Sequence, residues 1–171
     1  MNGLDIPRAA GEGALLVDLY ELTMAQLYHR EGIHEVPALF EHFFRSYPDY
    51  GTHKAGYCVS AGLEGLLDWM QAYRFDEDTL EYLQGLTDAA GGALFDHGFL
   101  EWLGGIDFSG LRLSAVPEGR VVHANVTVSV VEGPLAVAQL LETALLNQLS
   151  YETLVATKAS IVCESARGRP V

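Results

Sequence analysis

From Leu135 to Leu149 the chain runs nearly all apolar at helical spacing, and this run sets the first requirement on the fold. Leu135, Ala138, Leu141, Ala144, Leu145 and Gln148 share one face, yet the flanks are apolar too, so the helix has to be buried on most sides. A chain that carries such a helix needs other layers to cover it. Just upstream the pattern has a period of two. Leu111–Val116, Arg120–Ala124 and Val126–Glu132 alternate, with Pro117-Glu118-Gly119 and Ala124-Asn125 as connecting turns. This predicts an antiparallel meander, closed by Gly133-Pro134 with Pro134 at the first helical position.

The N-terminal half reads as helices around one strand. Leu19, Leu22, Thr23, Gln26 and Leu27 recur at helical spacing from Asp18 to Glu31, with Asp18 as N-cap, Glu21 three positions on in a capping-box pattern, and Gly32 as the stop. Val36 to Arg45 is apolar and aromatic and predicts a strand with Pro37 at its start, followed by a turn-rich loop from Ser46 to Lys54. Further helices are expected over 61–73, over 77–85 behind the acidic Asp76-Glu77-Asp78, and over 94–103. The helical run that starts at Leu135 is expected to break near Ser150-Tyr151 and to stop at Gly168, with Pro170-Val171 opening a new strand. Residues 1–13, rich in glycine and small side chains, read as a loose lead-in.

Composition narrows the function. The 171 residues fit one domain with a real core, at 49% hydrophobic and 19% charged. Ten Lys+Arg against 23 Asp+Glu, a formal charge of −13, argue against a nucleic-acid partner, which needs a clustered basic surface. No signal peptide or membrane span is legible, so a cytoplasmic protein without a membrane partner is expected. Cys58 and Cys163 match no metal spacing and read as two buried thiols in a reducing compartment. There is no phosphate-binding glycine loop, nucleophile elbow, zinc-helix motif or dinucleotide fingerprint, and the six histidines share no ligand spacing, so no metal ligand is assigned.

Seven strings then occur in order. They are Leu15-Leu16-Val17-Asp18-Leu19-Tyr20-Glu21-Leu22-Thr23-Met24, Phe40-Glu41-His42-Phe43-Phe44-Arg45, Ser60-Ala61-Gly62-Leu63, Pro117-Glu118-Gly119, Glu132-Gly133-Pro134-Leu135, Gln139-Leu140-Leu141-Glu142-Thr143 and Leu154-Val155-Ala156-Thr157-Lys158-Ala159. From about residue 14 onward this set closely resembles the N-terminal part of nicotinate phosphoribosyltransferase. The resemblance implies an enzyme of NAD salvage. It converts nicotinate and phosphoribosyl pyrophosphate to nicotinate mononucleotide and pyrophosphate, with ATP hydrolysis and Mg2+. It also implies a type II phosphoribosyltransferase fold, an α/β N-terminal domain beside an irregular α/β barrel, in a dimer whose site draws on both subunits.

Carried over by position, Tyr20 matches the tyrosine that reaches the pyridine ring in the neighbouring subunit, and Arg45 follows the aromatic strand as a binding residue for a phosphate or carboxylate. Asp18, Thr157 and Lys158 are supporting candidates, with capping for Asp18 and a solvated face for Lys158 as the plainer readings. Val17 stands where the family usually has threonine. The fold class expected is an α+β domain over 1–133, with an antiparallel sheet and helices, and a helical lead-in over 134–171 to a barrel absent from these residues. The chain is therefore expected to be incomplete and inactive alone, working in a homodimer or with a partner chain that supplies the barrel, with apolar helix faces left uncovered. The alternatives are a non-catalytic assembly or binding module, one subunit of a split enzyme, or a related transferase acting on nicotinamide or quinolinate.

Overall fold

The computed structural model describes residues 13–171, so the expected lead-in lies, apart from Gly13, outside the described residues. The architecture is α+β, with two small antiparallel sheets among six helices. Helix α1 (Leu19–Arg30) leads into β1 (Pro37–His42) and β2 (Cys58–Val59), then α2 (Leu63–Ala72), α3 (Glu77–Gln84) and α4 (His97–Gly104). Strands β3 (Arg112–Ala115), β4 (Val121–Val122) and β5 (Ser129–Pro134) follow, and α5 (Leu135–Gln139) and α6 (Glu142–Ala166) end the order. Asp76 and Asp96 cap α3 and α4, accepting from the Thr79 and Phe99 amides at 2.9 and 2.8 Å.

The expected meander is not formed. Strand β5 is central, with β1 on one side (Pro37 opposite Pro134) and β3 on the other (Arg112 opposite Glu132). Strand β4 leaves β3 and pairs with β2, Cys58 opposite Val122. The turn between β3 and β4 explains the exchange. Ser60 and Gly119 bond through their backbones (Gly119 N to Ser60 O, 2.8 Å), Ser60 N reaches Arg120 O at 2.9 Å, and Glu118 Oε1 accepts from Leu63 N at 2.7 Å. Those bonds draw the turn onto the start of α2 and carry β4 with it. Val122 then buries with Cys58 and Val128 in a satellite cluster apart from the main core.

The apolar run from Leu135 is covered as its composition requires. Ala136, Val137, Ala138, Leu140, Leu141, Ala144 and Leu145 are all buried, in one core with Leu22 and Ala25 of α1 and with Leu66, Phe99 and Leu103. The 133/134 division falls at the β5–α5 junction, and side chains from both sides share that core.

The break in the run comes earlier than Ser150-Tyr151. Two turn residues, Leu140 and Leu141, separate α5 from α6, and α6 then continues for 25 residues. Ser150 and Tyr151 lie on its exposed side, while the buried stripe runs on through Leu149, Thr153 and Thr157 at i, i+4 and i+8. Because part of that stripe is polar, it does not read as a hydrophobic face. The two threonines hold β2 and the residues after it: Thr157 Oγ1 accepts from Val59 N at 2.9 Å and Thr153 Oγ1 from Ala61 N at 3.2 Å.

Uncovered apolar side chains begin at Leu146 and continue along α6, with Tyr151 63% and Leu154 41% exposed. Cys58 is buried as expected, but Cys163 is exposed because it falls on this outer side of α6. No helix among the described residues is long and apolar enough to cross a membrane.

Gly62 is where α2 meets α6. Its φ is +97°, and a Cβ added there would stand 2.8 Å from the Gln148 carbonyl oxygen and 3.0 Å from Glu152 Cβ. Both the backbone conformation and the space demand glycine. Gly62→Ala is expected to cost about 2 kcal/mol, a fall of roughly 4–8 °C in melting temperature. The control is Gly56→Ala, whose added methyl meets nothing within 4 Å. Equal melting temperatures for the two variants would contradict this packing.

Candidate functional site

A cleft of about 500 Å³ opens between β1 with the residues after it and the α5–α6 corner. Arg45, Phe43 and Phe40 stand on one wall and Gln139, Glu142 and Leu146 on the other. Arg45 is exposed and, among the described residues, pairs with no carboxylate. An unpaired guanidinium above aromatic walls suits a flat or phosphorylated anion. His42 points inward, buried beside Ser129 (Nδ1 to Oγ, 3.2 Å), and burial pushes its imidazole below the usual range.

The α5–α6 corner is built around Glu21. By helical spacing Glu21 belongs with Leu22 and Ala25 on the core face of α1, and it is fully buried. Its Oε1 accepts two hydrogen bonds from Thr143, from the backbone N–H at 3.0 Å and from the hydroxyl at 2.8 Å. Thr143 lies in the first turn of α6, so a carboxylate from α1 caps α6 across 122 residues of chain. The capping box expected within α1 is not completed: Asp18 is N-cap by position, but its side chain makes no capping bond, and the Glu21 carboxylate, beside the Asp18 backbone N–H, accepts from Thr143. The second oxygen, Oε2, is buried with no partner among the described residues. Burial pushes the Glu21 carboxyl up to about 7, opposed by the Thr143 bonds and reinforced by the nearby Glu142.

Tyr20, in the first turn of α1, is 45% exposed. Partial burial and the neighbouring acids Glu142, Glu21 and Asp18 raise its hydroxyl above the usual tyrosine range. Glu142 is fixed by Gln139, whose Nε2 donates to Glu142 Oε2 at 3.0 Å. Of the residues singled out in the sequence, Arg45 lines the cleft with Glu142, while Tyr20 lies outside its lining, near Glu142.

The other three do not join them. Asp18 is exposed at the head of α1. Thr157 is fully buried and faces β2 rather than outward, its hydroxyl donating to Thr153 O at 2.6 Å while accepting from Val59 N. Lys158 lies 16 residues along α6 from Glu142, ~24 Å at helical rise, with its ammonium 4.3 Å from the Tyr50 ring centroid in a separate apolar groove. Sequence reasoning missed Glu21, Gln139 and Glu142 as site-builders. A usable signal was present for Glu21: the helical period alone places a carboxylate on the core face of α1.

Comparison with known proteins places the chain in one family. Residues 15–150 match the family described as the nicotinate phosphoribosyltransferase (NAPRTase) N-terminal domain. The chain is 42% identical over 159 residues to nicotinate phosphoribosyltransferase pncB2 of Mycobacterium tuberculosis, covering 93% of this chain and 32% of that protein. It is 44% identical over 147 residues to the nicotinate phosphoribosyltransferase of Bacillus subtilis, covering 86% of this chain and 28% of that protein. The crystal structure of human nicotinic acid phosphoribosyltransferase superposes with a TM-score of 0.77 at 36% identity, over 90% of this chain and 29% of that one. The chain therefore spans about a third of the length of the curated relatives it matches.

The elevated Glu21 pKa has a consequence for stability. A carboxyl that holds its proton more tightly when folded contributes stability fully below its unfolded value of 4.5, and that contribution is lost as pH rises toward 7. The melting temperature is expected to fall from pH 5 to pH 8, with Glu21→Gln flattening that part of the profile because the amide mimics the protonated acid. Parallel profiles for the two proteins would contradict a buried, proton-holding Glu21.

Proposed function

Because the chain belongs to the nicotinate phosphoribosyltransferase family, we propose that it serves as the N-terminal domain of an enzyme that makes nicotinate mononucleotide and pyrophosphate from nicotinate and phosphoribosyl pyrophosphate, with ATP hydrolysis, in NAD salvage. The observation that carries this reading is the match over residues 15–150, which includes Tyr20 and every residue lining the cleft between Arg45 and Glu142. In the proposed reaction the pyridine nitrogen forms a bond to the ribose carbon as the carbon–oxygen bond to pyrophosphate breaks, and pyrophosphate leaves with the electron pair. Such a step relies on positioning and on stabilising charge.

This chain's part is to hold the reactants. The Tyr20 ring packs on the flat heteroaromatic, its phenol too weak an acid to exchange protons at neutral pH. The Arg45 guanidinium meets a carboxylate or a phosphate. Magnesium and ATP belong to the proposal for the whole enzyme. Among the described residues no three histidine, cysteine, aspartate or glutamate side chains converge as a metal would require, and no step on this chain passes through either group.

The remaining two thirds of the relatives' length supplies the rest of the site, in a cytoplasmic dimer, from further sequence or from a second chain. The uncovered apolar residues along α6 support a neighbour there. The test is product formation from labelled nicotinate, phosphoribosyl pyrophosphate, ATP and Mg2+. It is run with the chain alone and with the chain joined to the C-terminal two thirds of the Bacillus subtilis relative. Product is expected only from the joined protein, where Tyr20→Ala raises the nicotinate KM roughly three- to tenfold. Turnover by the chain alone would contradict the assignment of the remaining site to other sequence, and an unchanged KM would reduce Tyr20 to a packing residue.

A further inference from the structure

We propose that the free edge of β1 is an interface for a second copy of this chain, with β1 pairing to its own copy antiparallel about a twofold axis at Phe40. Strand β1 lies at one margin of its sheet, with β5 on one side and no strand on the other among the described residues. The opposite margin is the shorter β3, four residues against six. An edge strand templates pairing with another chain unless the fold covers or blunts it. The described residues leave this edge uncovered: Val36, Leu39, Phe40 and Phe43 are all exposed, Leu39 by 58%.

The register shows which backbone groups are free. In an antiparallel pair only alternate residues exchange hydrogen bonds across the ladder. Val36 O accepts from Leu135 N at 2.9 Å and His42 O from Val128 N at 2.8 Å, so the even positions of β1 face β5. The N–H and C=O groups of Leu39 and Glu41 therefore point away from β5. A copy running the other way, with Phe40 opposite its counterpart, sets Leu39 of each chain opposite Glu41 of the other. Each such pair exchanges both of its N–H···O bonds, and the two three-stranded sheets become one. Pro37 lacks an N–H, but it stands at the start of the strand, clear of this exchange.

Charge selects both the occupant and the register. Glu35 and Arg45 stand five positions on either side of Phe40. An antiparallel copy centred on Phe40 therefore sets acid against base at both ends of the pair. Glu35 lies 3.9 Å from His34, and Arg45 pairs with no carboxylate among the described residues, so both charges are available. Centred on Leu39, the same pairing would put Glu35 against Phe43. Centred on Glu41, it would set two carboxylates face to face, which is destabilising. The pairing needs no ligand and is independent of the enzyme reading above.

Sedimentation equilibrium of the 171-residue chain is expected to show a monomer–dimer equilibrium. At dimer concentrations the Leu39 and Glu41 amides are expected to gain hydrogen-exchange protection that dilution removes, while the Phe40 amide, bonded to β5, stays protected at both concentrations. Leu39→Pro removes an outward N–H and leaves the β5 ladder whole, and it is expected to weaken the dimer about thirtyfold. Glu35→Arg, outside the strand, is expected to weaken it about tenfold, and the further change Arg45→Glu to restore it. Leu154→Glu, on the uncovered side of α6, is expected to leave the dimer intact. A monomer at every concentration overturns the proposal and leaves the edge to a different chain. A dimer whose Leu39 and Glu41 amides stay unprotected overturns it too, as does one that Leu154→Glu abolishes while Leu39→Pro and Glu35→Arg leave it unchanged. Failure of the double charge reversal to restore the dimer overturns the register.

Discussion

One buried carboxylate organises this domain. Glu21 leaves the core face of α1 and accepts both donors of Thr143 at the start of α6, joining the first helix to the last. Without it, the Thr143 N–H at the start of α6 would lose its acceptor, at the cost that attaches to an unpaired donor. The helical run from Leu135 breaks just before it, at Leu140–Leu141. The second oxygen of Glu21 has no partner and its pKa rises to about 7, which sets the carboxyl's protonation close to neutral pH. That arrangement costs stability as pH rises.

The cleft follows from the same clamp. Glu142, next to Thr143 at the start of α6, lines the cleft and is held by Gln139, whose Nε2 donates to Glu142 Oε2 at 3.0 Å. Arg45 comes from the opposite wall because β1, paired to β5 through Phe40 and Val131, carries the chain past the α5–α6 corner. Family membership rests on residues 15–150, and the geometry accounts for how the cleft's side chains come together. The second groove, where Lys158 covers Tyr50, lies far along α6 and belongs to the uncovered apolar side of that helix.

Much of this could be read from the residues. Helices α1 to α4, the start of β1 at Pro37 and the burial of the Leu135–Leu149 run are each local consequences of periodicity and capping, and those hold when the chain folds. The errors were all non-local. Strand β4 alternates as an outer strand of a meander should, but Ser60, Leu63 and the Pro117–Gly119 turn hold it against β2, and no pattern within 111–132 announces that. The helix break falls just before Thr143, whose capping partner, Glu21, is 122 residues away. The continuity of α6 past Ser150 depends on Thr153 and Thr157, polar residues whose burial is explained only by the β2 backbone they grip. Tyr20 and Arg45 were visible through family resemblance, whereas Glu142 and Gln139 gain their importance only once the corner has formed.

Amide hydrogen exchange at Thr143 is the most direct measure of whether Glu21 holds this corner. The Thr143 amide should be protected nearly as strongly as the core in the wild-type chain. In Glu21→Ala, protection should be lost at Thr143 and over residues 139–145, while the amides pairing β1 with β5 keep theirs. Unchanged protection at Thr143 in the variant, or an equal loss of protection across the whole domain, would contradict the role given to this carboxylate.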